Sequence, residues 1–219
     1  MTTAVDAGRG GGRLPRVARR RQLLAAAQEV FVAQGYHGAA MDDIAERAGV
    51  SKPVLYQHFP GKLELYLALI DAHTDALVAT IRNALAATDD NQERVHGVLA
   101  AYFDFVDGAT GSGPGAFRLI FETDLGNEPA VRERVERTDR TIMRAVSDTV
   151  SADTGLSRPQ AELLAMALTG AAQVAARWWL DNDRPVSRDV AVSLIASLQW
   201  RGISNFPLHG ATGPGNTDP

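Results

Sequence analysis

Apolar residues recur along this chain at intervals of three and four, with no stretch of strict alternation, so the pattern predicts helices and no strands. From about Val17, Leu23, Leu24, Ala27, Val30 and Phe31 share one face until Gly35 stops the repeat. A short second helix covers Met41 to Ala48, with Met41, Ile44, Ala45 and Ala48 inward, and Gly49 ends it. Ser51 then caps a third, which keeps Pro53 in its first turn, where no amide hydrogen is needed. Six longer segments follow at about 63–87, 92–107, 116–125, 129–150, 159–180 and 187–204, the fifth opened by Ser157 and Pro159. The expected organisation is a glycine-rich and arginine-rich arm over 1–16, a three-helix unit over 17–62, a six-helix body over 63–204 and a disordered tail over 205–219.

The stretch SKPVLYQHFPGK at 51–62 carries the most specific signal. At 100° per residue Leu55 and Phe59 fall on one side, while Pro53 and Gln57 point almost opposite, flanked by Val54 and Tyr56. The first pair belongs to a core. The outward group costs exposed apolar surface and needs a partner. A short amphipathic helix, a glycine, a two-residue link and a capped second helix make the sequence form of a helix-turn-helix, whose second helix enters a DNA major groove. Gln57 suits an adenine edge and Pro53 and Val54 a thymine methyl, while Lys52, Tyr56 and Lys62 have the reach for phosphates.

Charge sharpens this picture. The chain carries −4 overall, yet residues 1–62 hold nine Lys/Arg against five Asp/Glu, so a basic end sits on an acidic body. Arg9, Arg13, Arg16, Arg19, Arg20 and Arg21 crowd the leader, where arginines on a flexible arm can settle in a narrow minor groove. There is no cysteine, which excludes disulfides, thiolate metal sites and cysteine nucleophiles. With no apolar run long enough to span a membrane and no signal peptide behind the first arginines, the expected location is the cytoplasm.

FVAQGYHGAAMDDIAERAGVSKPVLYQHFPGKLELYLAL closely resembles the DNA-binding domain of the TetR family of transcriptional regulators, with its F…GY, IA..AGVS, LY.HF and following lysine. The resemblance implies an all-α fold in which an N-terminal three-helix helix-turn-helix domain precedes a six-helix dimerisation and effector-binding domain. It implies groove and phosphate contacts from Lys52, Pro53, Val54, Tyr56, Gln57, His58 and Lys62, with further backbone contacts from Ala40 and Met41 just before helix two, while Arg19, Arg20 and Arg21 join the DNA-contact set on the physics of the arginine-rich leader. One departure stands out: Ala39 and Ala40 occupy positions where the family commonly carries hydroxyls, removing a cap and a phosphate contact.

The small residues of AELLAMALTGAAQVAARWWL would let a partner helix approach closely, with Trp178 and Trp179 as anchors, while packing within the chain explains the alanines equally well; the resemblance implies a homodimer through the helices at about 159–181 and 187–204. A palindromic operator, most often repressed, and release by a hydrophobic or amphipathic effector are also implied. Tyr102, Phe103, Phe117, Phe121, Met143, Met166, Gln173 and Trp178 are the candidate pocket residues on composition. No cofactor is implied. Catalysis has no support: the histidines at 37, 58, 73, 96 and 209 lack metal-ligand spacing, and GSGPG lacks the lysine of a phosphate loop. The alternative is a helical interaction protein of the same fold whose operator binding has weakened, an option opened by Ala39 and Ala40.

Overall fold

The computed structural model describes residues 14–108, 115, 117, 119, 125 and 127–202. Among these it is all-helical, with eight helices. They are α1 (Arg16–Gly38), α2 (Met41–Arg47), α3 (Lys52–His58), α4 (Lys62–Ala86), α5 (Asn91–Asp107), α6 (Pro129–Thr154), α7 (Arg158–Asp181) and α8 (Arg188–Arg201). The leader up to residue 13, the tail from residue 203, Phe121 and most of the segment expected to be helical over 116–125 lie outside the described residues. Phe117 and Leu119, within that segment, are helical. No helix among the described residues is long and apolar enough to cross a membrane.

The first three helices pack around Leu23, Ala27, Phe31, Ile44, Leu55 and Phe59, all nearly inaccessible. Gly35 breaks α1 with φ 70, as its missing Cβ permits, and the chain runs on for one more helical turn. Gly49 takes φ 63 at the corner between α2 and α3, and Val50 is half-buried beside it. Ser51 sits at the N-cap of α3, but its hydroxyl makes no capping bond. The reason is local: Pro53 has no N–H at the second helical position, and the Val54 amide already donates to the Ser51 carbonyl at 3.0 Å.

One continuous core joins this head to the body, because α4 runs through both. Near its start, Tyr66 packs edge-on against Phe31 and Tyr36, with centroids 5.1 Å away in each case, and its hydroxyl donates to the Leu119 carbonyl. Within the body α4 packs on α5 and α6, α5 on α7 and α8, and α6 on α7. Caps fix the boundaries: Asp90 Oδ1 accepts from the Gln92 and Glu93 amides at the start of α5, and Gln160 Oε1 accepts from both the amide and the hydroxyl of Ser157 at the start of α7. Arg188 forks onto Asp104, with bonds of 2.7 and 2.6 Å, and holds α8 to α5.

Candidate nucleic-acid interface and effector cavity

The outer face of α3 is built as its periodicity demands. Leu55 is fully enclosed and Phe59 nearly so, whereas Tyr56 is 47% exposed and Lys52, Pro53 and Gln57 are exposed beside half-buried Val54 and His58. A cleft of ≈ 510 Å³ lies between this face and the start of α1, lined by Leu14, Arg16, Arg19, Val54, Gln57 and His58. Arg19 is held there by Gln22, whose Oε1 accepts from its guanidinium at 2.8 Å while the same amide donates to the Ala48 carbonyl at 2.8 Å. One side chain of α1 thus ties both an arginine and the helix-turn-helix corner in place. The Arg20 guanidinium lies 4.4 Å from the centre of the Phe59 ring, and Arg21 is exposed. Partial burial, then Arg16, Arg20 and Arg19, hold His58 below its ordinary pKa, so the imidazole is neutral at pH 7 amid three cations.

Three expected contacts look different in the structure. Met41 is only 9% exposed and its side chain belongs to the core, which leaves its main-chain N–H in the first turn of α2 as the group it can offer a phosphate. Lys62 does not reach outward. Its ammonium donates to the carbonyls of Tyr36 and Ala39, each at 2.8 Å, and of His37 at 3.4 Å, and lies 4.6 Å from the Tyr36 ring centre. It therefore caps the carbonyl end of α1. Lys52 is exposed and paired with Asp42.

Ala40 is the exposed N-cap residue of α2, with φ −110 and ψ 149 and no side-chain capping bond, while Ala39 is buried. That backbone suits a hydroxyl residue without adjustment. An Ala40→Ser variant should gain about 1 kcal/mol in urea denaturation by satisfying an orphan amide of α2; an unchanged midpoint would mean that the first turn is already satisfied.

In the body, the structure brings Tyr102, Phe117 and Gln173 together with Leu77, Phe105, Val106, Val174 and Arg177 around a cavity of ≈ 150 Å³. Four other candidates are elsewhere. Phe103 is core, packed edge-on against Trp179 with centroids 5.4 Å apart, and Met143 is half-buried on α6 without lining this cavity. Met166 and Trp178 are 60% and 59% exposed on the outside of α7, where no enclosed ligand could meet them. Composition could not separate these cases, since every apolar side chain of an all-round apolar helix looks alike. A second cavity of ≈ 380 Å³, unanticipated from sequence, is lined mainly by Leu85, Val95, Val98, Val146, Val150, Leu164, Leu168 and Trp200, with Arg94 and Asp153 among its polar residues. Voids are set by what fails to fill space, which no residue type announces.

The outside of α7 inverts ordinary amphipathicity. Ala161, Ala165, Ala172 and Ala176 face inward, and Leu163, Met166, Val174 and Trp178 face solvent. Those four alanines pack within the chain, the alternative left open by the sequence, while Ala167 and Ala171 are exposed and Gly170 is half-buried. Trp179 is likewise buried, with Nε1 donating to the Val186 carbonyl at 2.8 Å, and only its neighbour Trp178 is available as an anchor. Val190, Leu194 and Leu198 extend the apolar surface along α8.

Residues 23–69 match the family of bacterial regulatory proteins of tetR type. Over 200 residues, 91% of this chain and 90% of the relative, the sequence is 48% identical to the HTH-type transcriptional activator FasR of Mycolicibacterium smegmatis. The chain belongs to the TetR family. Two solved structures share the fold. A TetR-like transcriptional regulator from Rhodococcus sp. RHA1 superposes with a TM-score of 0.65 at 29% identity, covering 89% of this chain and all of that one. FadR from Bacillus subtilis, solved in complex with stearoyl-CoA, gives a TM-score of 0.65 at 18% identity, covering 84% and 98%, a likeness of fold. The TetR-family chain is thus a helix-turn-helix transcriptional regulator, and its relatives are named as regulators and not as enzymes.

Proposed function

We propose that this chain is a dimeric regulator that reads a palindromic operator through α3 and responds to a long-chain acyl effector held in the body. The observation that carries the DNA reading is the outward set Tyr56, Gln57 and Pro53 beside the Arg16 and Arg19 cleft, over an inward Leu55 and Phe59. An acyl group fits the body for a geometric reason. The two cavities share three walls in consecutive order: Leu77 then Leu85 on α4, Tyr102 and Phe105 then Val98 and Val95 on α5, Gln173 then Thr169 and Leu164 on α7. From Val106 to Val95 the rise along α5 is about 17 Å, so the two cavities follow one another along that helix, and an acyl effector that opens the wall between them would have a long and narrow apolar path. A chain of methylenes fills such a path better than a compact ring system, and Arg177 at one end offers a cation to a charged headgroup. Regulators of the same fold that are named for fatty acids, one of them bound to stearoyl-CoA, are consistent with this choice.

The proposed sign of regulation follows the 48% identical relative, an activator, in place of the repressor expected from the family majority. The ligand acts by preferring one spacing of the two heads, so operator affinity changes by the ratio of its affinities for the two states. The test is fluorescence anisotropy of the purified chain with DNA from upstream of its own gene, with and without stearoyl-CoA. The expected result is specific binding whose Kd shifts about fivefold or more on adding ligand. Equal binding to a scrambled duplex contradicts the operator reading; an unmoved Kd together with no rise in Tm contradicts the effector reading.

A further inference from the structure

Tyr102 is 3% exposed and lines the smaller cavity among Leu77, Phe105, Val106 and Phe117, an apolar setting for a phenol. Among the described residues its hydrogen-bond partner is Gln173 Nε2 at 3.4 Å, and that nitrogen is a donor. The phenolic oxygen is used there as an acceptor, and its O–H has no acceptor among the described residues. Gln173 cannot reverse its amide to help, because Nε2 also donates to Asp139 Oδ1 at 2.8 Å and a carboxylate accepts only. Asp139 fixes the amide, and the amide fixes the phenol as a donor in search of an acceptor. Burial holds the phenol well above its ordinary pKa, so it keeps its proton across the physiological range.

A buried O–H without a protein acceptor is costly, and it becomes useful when a ligand supplies the acceptor. Resting on the acyl-effector reading above, we infer that Tyr102 is the specificity residue that donates to the thioester carbonyl oxygen of the effector, with Gln173 and Asp139 as its positioning pair. The acceptor is the thioester carbonyl because the alkyl chain beyond it has no oxygen. The relay also rejects a purely hydrocarbon occupant, which would leave the same O–H unpaired after water had been expelled.

The experiment compares stearoyl-CoA with its S-octadecyl thioether, which keeps the chain and the CoA but has a methylene in place of the carbonyl. Each is titrated by calorimetry into the full chain and into Tyr102→Phe, whose unliganded melting temperature is measured alongside. The expected result is that the full chain prefers the thioester about five- to tenfold, and that Tyr102→Phe binds both ligands equally at the level of the thioether. A full chain that binds both alike, or a Tyr102→Phe that still discriminates, overturns this assignment while leaving the acyl reading intact. Binding of neither ligand overturns the acyl reading and this one with it. Should Tyr102→Phe fold poorly, equal binding of the two ligands by the unaltered chain still overturns the assignment.

Discussion

Replacing Val174 and Leu194 with glutamate is expected to leave a folded chain that sediments as a monomer and loses about 100-fold or more in operator affinity. Both side chains are largely exposed, 70% and 47%, so neither substitution opens the core, and Val174 also edges the smaller cavity. In a two-fold pairing of α7 and α8 both would be covered, and two carboxylates per protomer would have to leave water without partners. The face is continuous: Leu163, Val174 and Trp178 run along α7 at helical spacing, and Gly170, whose added Cβ would meet nothing within 4 Å, leaves a low point between them. Exposed apolar surface on this scale is rare without a partner. Affinity for DNA falls with the dimer because the second head binds at a high effective concentration only while tethered to the first. A double variant that stays dimeric at micromolar concentration would place the interface elsewhere.

The second large effect is acid destabilisation through His73. This residue of α4 is 7% exposed, and its Nε2 is buried without a hydrogen-bond partner among the described residues. Burial lowers its pKa to about 4. The folded chain therefore refuses a proton that the unfolded chain accepts near pH 6.5, so stability is full above that pH and falls progressively as pH drops towards 4. The loss from this group alone amounts to about 3 kcal/mol. Carboxylates titrate in the same window, so the measurement is a difference: urea denaturation of the full chain and of His73→Met between pH 7.5 and 4. The gap between the two should move by that amount in favour of the variant as pH falls. A gap independent of pH would mean that the imidazole finds a partner or water when protonated.

Much of the head was legible because its helices are short and two-faced. In α3 the 100° step separates Leu55 and Phe59 from Gln57 and Tyr56 with no tertiary knowledge, and the structure has them on those sides. Met41 escaped because main-chain proximity to helix two says nothing about where its own side chain goes, and Lys62 because a long ammonium can serve three nearby carbonyls as readily as a phosphate. The body was legible as helices and less so as faces. In α7 nearly every position is small or apolar, so periodicity could not tell that alanines turn inward and Trp178 outward. Gln173 stood among the candidates on composition alone, and Asp139, which accepts from its amide, is one of the many charges of α6 that no pattern singles out.

The central claim is that α3 reads DNA by Tyr56 and Gln57, with the start of α1 beside it. Its most direct test is binding of the chain and of a Tyr56→Phe, Gln57→Ala variant to specific and scrambled duplexes across a salt series. The unaltered chain should prefer the specific duplex by about 1,000-fold or more. In the variant that preference should shrink by at least tenfold, while the scrambled duplex and the salt slope change by no more than about one phosphate contact. If chain and variant discriminate between the duplexes equally well, sequence is being read by some other surface.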